Sequence, residues 1–176
     1  MEILGFKNLT QTNWLHPDDV VLLFKRLSSG DGTIHDVSGE EWAREFLGPH
    51  LIPEVPHEVR KLFEVARGSM IYGFFFYPLY ALGVEQLARV AEASLTAKCQ
   101  QSGAPKSAHS FQEKTVCLCK AHIISEKERP AWDAMREFRN EVFHPKDQNI
   151  LPPAVGVRVL QDIASRINHL FSVVQA

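Results

Sequence analysis

Apolar residues recur at every third or fourth position through most of this chain, which is the spacing of one buried face on an α-helix. The most regular run follows Pro152 and Pro153, and a proline is well suited to the first turn of a helix. No stretch alternates strictly between apolar and polar residues for long enough to predict a strand. The pattern predicts helices over residues 17–27, 38–46, 58–70, 79–99 and 154–174, and two more that begin near Ser107 or Ser110 and near Ser125. The predicted fold class is therefore all-α.

Pro53 and Pro56 divide the chain into two parts of different charge. Residues 1–56 contain 4 Lys or Arg against 9 Asp or Glu, whereas residues 57–176 contain 15 against 12. The formal charge of the whole chain is −2, so it is not a basic nucleic-acid coat, and a polyanion would meet the second part more readily. We expect a bundle of about four or five helices over residues 57–176, preceded by a small acidic helical elaboration over residues 1–56.

Residues 70–84 form an uncharged run with many aromatic side chains. The run is too short to cross a bilayer as a helix, because that needs about 20 apolar residues, so no membrane association is predicted. We expect a helix buried in the core or in a subunit interface. The aromatic residues between Tyr72 and Tyr80 exceed what one small bundle readily buries, and this surplus predicts a two-fold homodimer.

The cysteines and the glycine-rich loop give no indication of a metal site or a cofactor. Cys99, Cys117 and Cys119 are few and odd in number, which is typical of a reduced chain, and residues 1–13 lack a secretory signal, so a cytoplasmic location is expected. Residues 28–33 do not form a calcium loop, because the first and twelfth ligand positions would be Leu27 and Ser38. We therefore predict no metal and no cofactor.

The segment 132–146 carries the most informative polar residues. When Met135 is set at zero on a helical wheel, Arg139 falls about 40° away, inside the arc formed by Trp132, Met135 and other apolar side chains. A guanidinium on that face must be paired, line a cavity or face another subunit, because an unpaired buried cation is costly. His144 precedes Pro145, which disfavours helical geometry in the residue before it. A structural reading remains open, with Arg139 in a salt bridge and His144 as a helix stop.

Arg139 and Asn140, followed by Glu-Val-Phe and then His144, resemble the signature of the HEPN superfamily (higher eukaryotes and prokaryotes nucleotide-binding). The resemblance extends over about residues 57–174, because a long amphipathic helix precedes the motif and a proline-initiated helix follows it. It implies a HEPN-like helical bundle that dimerises with its two motifs facing each other. Many similar proteins are metal-independent endoribonucleases of toxin–antitoxin or antiviral systems, whereas others are non-catalytic modules that bind RNA, a nucleotide or a protein partner.

The resemblance and the residue types together assign roles. Cleavage of RNA without a metal needs a base for the 2′-hydroxyl proton, an acid for the leaving oxygen and a cation for the phosphate. Histidine titrates near neutral pH, and the planar arginine fork fits a phosphate. We therefore expect RNA as a partner, with an antitoxin or another regulatory protein as a further possibility. The candidate residues are His144 for proton transfer, Arg139 as the phosphate clamp, Asn140 as an orienting group, Arg136 and Lys146 as secondary phosphate contacts, and Glu85, which could pair with Arg139 or simply be exposed.

Overall fold

The structure is a computed structural model that describes residues 7–28, 30–104, 108–143 and 151–172, without the side chains of residues 139–143. The described chain is mostly helical, so the predicted all-α class is confirmed. Its elements in chain order are α1 (Asp19–Leu22), β1 (Lys25–Leu27), β2 (Ile34–Asp36), α2 (Gly39–Leu47), α3 (His57–Tyr72), α4 (Tyr77–Gln101), α5 (Phe111–Lys120), α6 (Arg129–Phe143) and α7 (Pro153–Ser172).

The long helix α4 is the centre of the bundle, and α3, α5, α6 and α7 pack around it. Leu87, Ala91 and Leu95 lie on its buried side and have no exposed surface. Leu82 lies on the opposite side and is 54% exposed, which agrees with the amphipathic pattern of this segment. A helix that is contacted by four others must be apolar around most of its circumference, and this agrees with the many alanines in α4.

Contacts at the helix ends fix the directions of α4, α6 and α7. The Tyr80 hydroxyl meets the Pro152 carbonyl at one end of the bundle. At the other end the Lys98 ammonium lies 5.3 Å from the centre of the Phe171 ring, so α7 runs parallel to α4. Glu128 and His169 form an ion pair of 3.2 Å that places the start of α6 beside the end of α7. Because α7 begins at the end of the bundle where α4 begins, α6 runs antiparallel to α4 and α7.

Local capping explains where two helices begin. The Ser38 hydroxyl accepts a hydrogen bond from the Glu41 amide, and the Glu41 carboxylate accepts one from the Ser38 amide, which is a complete capping box. Ser110 and Glu113 form the same arrangement at the start of α5, so Ser110 is its cap. The alternative cap, Ser107, lies outside the described residues. These starts confirm the predictions from the serine positions.

The prediction of a helix over residues 17–27 is wrong after its first turn. The chain forms the short helix α1, and β1 then pairs antiparallel with β2, with Leu27 opposite Ile34. The turn between the strands is held by the Asp31 carboxylate, which accepts hydrogen bonds from the Thr33 amide and hydroxyl; these bonds lower the pKa of Asp31 to about 2. Helical apolar spacing over so short a run did not exclude a hairpin, whose strand pairing depends on residues further along the chain.

The aromatic run over residues 70–84 is not one helix, because α3 ends at Tyr72 and α4 begins at Tyr77. The turn between them brings together five buried rings, which we call the aromatic corner: Trp42, Phe46, Phe74, Tyr77 and Tyr80. Three aromatic residues of the run, Phe74, Tyr77 and Tyr80, are thus buried within a single chain, whereas Tyr72 is 63% exposed. The homodimer stays a prediction. No helix in the described part of the chain is long and apolar enough to cross a membrane.

A buried carboxylate fastens the N-terminal segment to the aromatic corner. Asp18 is 1% exposed, and its two carboxylate oxygens accept hydrogen bonds from the Val20 amide at 3.0 Å and the Tyr77 amide at 2.9 Å. The Asp18 amide in turn donates to the Phe74 carbonyl at 2.9 Å. One side chain therefore satisfies amides at the starts of both α1 and α4, which have no partner within their own helices.

Candidate functional site

The predicted site lies on the C-terminal half of α6. Trp132 and Met135 are buried, with exposures of 2% and 9%, and Phe138 is half-buried against the core. Arg139 follows Met135 by four residues, so the register of α6 places it on the same face, one turn further along. This is the position that the periodicity predicts. Its side chain is outside the described part of the structure, so its pairing remains a prediction.

Asn140 also lies in α6, one turn after Arg136. The described part of α6 ends at Phe143, and His144 is the next residue in the sequence. His144 and Lys146 lie outside the described residues. Their roles as proton-transfer group and phosphate contact therefore remain predictions.

Arg136 has an unsatisfied donor. Its Nε atom is buried and has no hydrogen-bond partner among the described residues. Asp133 Oδ1 is 4.0 Å from this atom, and Glu137 Oε1 is 3.6 Å from a terminal nitrogen of the same guanidinium. Both distances exceed that of a normal hydrogen bond. The guanidinium is therefore held by charge attraction to two carboxylates, and its terminal nitrogens can still donate hydrogen bonds to another oxygen, such as a phosphate oxygen.

Glu85 lies about two turns after the start of α4, in the half of that helix that begins at the aromatic corner. Its side chain is half-buried, and burial raises the pKa of its carboxyl, whereas Arg89 one turn further lowers it. A carboxylate in this environment favours a cationic partner. Because α6 runs toward the same end of the bundle, pairing with Arg139 is compatible with the fold, and it remains a prediction.

Two tyrosines hold the chain where it enters α7, and sequence reasoning did not identify them. The Tyr77 hydroxyl donates to the Leu151 carbonyl at 2.6 Å. The Tyr80 hydroxyl donates to the Pro152 carbonyl at 3.0 Å and accepts from the Gly156 amide at 3.1 Å. Burial raises the pKa of Tyr77 to about 12 and the pKa of Tyr80 further. Both phenols therefore remain protonated donors at physiological pH.

The cysteines do not form a metal-binding centre in the described part of the chain. Cys99 and Cys119 are buried and Cys117 is half-buried, and all three are free thiols. Burial raises the pKa of Cys99 and of Cys119, which keeps them as thiols and not thiolates. No group of three or more metal-ligating side chains occurs among the residues with described coordinates.

A broad cleft in the described residues lies elsewhere, between α2 and α7. It has a volume of about 870 Å³. A second cleft of about 350 Å³ lies beside the N-terminus of α7, and the ion pair of Arg26 with Glu45 lines both clefts. We call the two together the α2–α7 groove. Its polar lining includes Arg26, Glu41, Arg44, Glu45, Gln161 and Ser165. In the sequence, the polar face of α2 was the feature that could have indicated this groove. Glu41, Arg44 and Glu45 lie on the side of the helix that faces away from the apolar Trp42 and Phe46.

Comparison with known proteins identifies no relative. No family model matches the chain, and neither a curated protein nor a solved structure matches it.

Proposed function

We propose that this protein is a metal-independent endoribonuclease of the HEPN type that cleaves RNA through attack of the 2′-hydroxyl. The observation that carries the proposal is the register of α6, which places Arg139 one turn beyond the buried Met135, with His144 following Phe143 in the sequence. The helical bundle around α4 and the start of α7 after the motif support it further. A toxin or an antiviral effector is the biological role that fits such an activity.

The proposed reaction uses the residue chemistry of this segment. The 2′-oxygen attacks the adjacent phosphorus while its proton moves to an imidazole, and the bond from phosphorus to the 5′-oxygen breaks as that oxygen receives a proton. His144 supplies the imidazole, and two copies facing each other in a homodimer supply both base and acid. Arg139 neutralises the phosphate, Asn140 orients it, and the terminal nitrogens of Arg136 and the ammonium of Lys146 contact neighbouring phosphates.

The experiment is RNA cleavage in EDTA by purified wild-type protein and by a His144→Ala variant. We expect wild-type cleavage to resist the chelator and to leave 2′,3′-cyclic phosphate or 3′-phosphate ends, because the nucleophile is the 2′-hydroxyl. The cleavage rate of the variant should be lower than that of the wild type by about 10²-fold or more if the imidazole transfers protons. His109→Ala is the matched control, because His109 is exposed and precedes α5, and it should cleave at the wild-type rate.

The outcomes separate a catalytic from a structural role. Circular dichroism and light scattering of His144→Ala should match the wild type in helix content and in mass. If the variant unfolds or dissociates, His144 is structural and the proposal fails. If wild type and variant cleave equally, the activity comes from a contaminant and the proposal also fails.

The second candidate is a non-catalytic HEPN-like module that binds RNA, a nucleotide or a protein partner. The α2–α7 groove favours it, because this open polar surface lies on elements other than the C-terminal half of α6. Binding of labelled RNA by the wild-type protein, without cleavage over a prolonged incubation, would select this candidate over the nuclease.

A further inference from the structure

Two of the three cysteines lie on neighbouring helices at one end of the bundle. Cys99 lies in the last turn of α4, and Cys117 lies in α5, which packs against α4. The Cys99 thiol donates a hydrogen bond to the Lys114 carbonyl, with its sulfur 3.8 Å from that oxygen. This contact places the Cys99 sulfur against the surface of α5.

The register of α5 brings Cys117 to the same contact. Cys117 follows Lys114 by three residues, so the two residues are neighbours on one side of the helix. The two thiols also act on each other, because burial raises the pKa of Cys99 and Cys117 raises it further. A neighbouring group of like charge has this effect only over a short distance. The sulfurs of Cys99 and Cys117 therefore lie close together where α4 packs on α5.

Cys119 faces a different part of the molecule. It follows Cys117 by two residues, which is about 200° around a helix. Burial raises the pKa of its thiol, and the charged groups that act on it, first among them Glu126, lie between α5 and α6 or on α6. Cys119 therefore lies outside the pair and serves as an internal control.

Small molecules can reach the pair. Cys117 is half-buried, so part of it meets the solvent. Cys99 lines a cleft of about 410 Å³ together with Gln100, His109 and Lys114. Burial raises the pKa of Cys99, and the Lys114 ammonium partly opposes that rise. A cation beside a thiol favours the thiolate, which is the form that reacts with oxidants.

We propose that Cys99 and Cys117 are a redox-active pair that forms a reversible disulfide with a hydroperoxide as the oxidant. The Cys117 thiolate attacks one oxygen of hydrogen peroxide, the O–O bond breaks, and the sulfur becomes a sulfenic acid while the other oxygen leaves as water. The Cys99 sulfur then attacks the Cys117 sulfur, and the S–O bond breaks as the hydroxyl leaves with the Cys99 proton as a second water. Two thiols and one peroxide thus give one disulfide and two waters, and a dithiol reductant restores the thiols.

The disulfide ties α5 to α4 at the end of the bundle away from the C-terminal half of α6. The start of α4 lies at the other end, where the Tyr80 hydroxyl meets the Pro152 carbonyl, so the inference does not rest on the proposed nuclease function. The bond closes a loop over residues 99–117, and such a crosslink restricts the unfolded chain. We expect the melting temperature of the oxidised protein to rise by about 5–10 °C.

The test is oxidation of the purified, reduced protein by hydrogen peroxide, followed by denaturation, alkylation of the remaining thiols and mass spectrometry. We expect one alkyl group per chain after oxidation, on Cys119, and three after the oxidised protein is reduced again. Trypsin digestion without reductant should give peptide 99–106 linked to peptide 115–120. Because Cys117 and Cys119 share the second peptide, variants identify which of them is linked.

Cys117→Ala and Cys119→Ala are matched variants of the same helix. Cys119→Ala should form the linked peptides as fast as the wild type. Cys117→Ala should form none, because Cys119 points away from Cys99 and a disulfide requires a specific geometry. Circular dichroism of both reduced variants should match that of the wild type, which shows that they fold.

Several results would overturn the inference. Alkylation of all three cysteines after the peroxide treatment means that no pair forms. Linked peptides in Cys117→Ala at the wild-type rate mean that Cys119 is the partner of Cys99. Sulfinic acid at Cys117 without linked peptides means that the Cys99 sulfur does not reach it. A disulfide that lowers the melting temperature of the wild-type protein means that the bond does not fit the folded chain.

Discussion

The two faces of the short helix α2 differ more than any other pair of neighbouring surfaces described above. One face inserts Trp42 and Phe46 into the aromatic corner, where their exposures are 2% and 0%. The other face presents Glu41, Arg44 and Glu45 to an open groove. One face of this nine-residue helix therefore stabilises the fold, and its other face is open to a ligand. Substitutions on the first face should change stability, and those on the second should change binding.

Close packing of backbone against side chains stabilises the aromatic corner, in addition to the burial of its apolar surface. The Trp42 indole donates to the Met70 carbonyl at 2.9 Å, so its polar group is satisfied although it is buried. Gly73 and Gly156 both face Tyr80 at distances that leave no room for a side chain. The α2–α7 groove shows no comparable constraint, since a Cβ at Gly48, which lines it, would meet nothing within 4 Å.

The largest effect is expected for Gly73→Ala. A Cβ there would lie 2.4 Å from Tyr80 Cβ and 2.8 Å from the Tyr80 amide nitrogen, so the backbone must move. We expect the free energy of unfolding to fall by about 3 kcal/mol, measured by urea denaturation. Gly68→Ala is the control, because its Cβ would meet nothing within 4 Å and alanine favours a helix, so stability should rise by about 0.5–1 kcal/mol. Equal effects of both substitutions would contradict the packing described for the corner.

Asp18→Ala should have the next largest effect. It leaves the Val20 and Tyr77 amides without their acceptor at a site that is 1% exposed, so we expect a loss of about 2–3 kcal/mol. Asp19→Ala changes an exposed carboxylate in the first turn of α1 and should cost less than about 1 kcal/mol. The comparison is made by thermal and urea denaturation. A smaller loss for Asp18→Ala than for Asp19→Ala would show that the Asp18 carboxylate does not bind the Val20 and Tyr77 amides.

Alkaline pH should weaken the aromatic corner through its two buried phenols. Burial raises the pKa of Tyr77 to about 12 and that of Tyr80 further. Because the folded state keeps protons that the unfolded state releases above about pH 10, stability should be constant below that pH and fall as the pH rises through about 10 to 12. Urea denaturation over this pH range checks the fall. Stability that does not change up to about pH 12 would mean that the two phenols are not buried.

The smallest effect on stability is expected in the groove. Arg44 is exposed in the last turn of α2 and makes no ion pair with the described residues, so Arg44→Gln should change the free energy of unfolding by less than about 1 kcal/mol. Urea denaturation checks this directly. A loss of stability as large as that for Asp18→Ala would show that the Arg44 side chain stabilises the fold. The two faces of α2 would then not differ in their effect on stability.

Much of the secondary structure was predictable because its determinants are local. Ser38 and Ser110 each precede a glutamate by three residues, and both form the capping boxes that start α2 and α5. Pro153 begins α7, as its fixed backbone angle favours. The wrong predictions share one cause. The hairpin of β1 and β2 and the turn between α3 and α4 are specified by partners that lie outside the local window.

The sequence predicted the position of the candidate site on α6. It predicted only part of the burial and the contacts of the residues in that site. The register of α6 placed Arg139 on the face of Met135, because a period of about 3.6 residues is a local property. The unsatisfied Nε of Arg136 and the half-buried environment of Glu85 followed only from the folded chain, since burial depends on which helices cover a residue. The anchoring of Leu151 by Tyr77 joins residues 74 positions apart, and no spacing rule predicts it.

The sequence by itself determined the helical class, most helix starts and the face of α6 that carries Arg139, because each depends on residues within one or two turns. Only the tertiary structure decided that the aromatic run folds into a corner within one chain and that α2 and α7 enclose a groove. Those features depend on contacts such as Asp18 with Tyr77 and Ile52 with Asn168, whose partners are 59 and 116 residues apart. Apolar periodicity marks the face that a helix buries, whereas the partner of that face is selected by the packing of the whole chain.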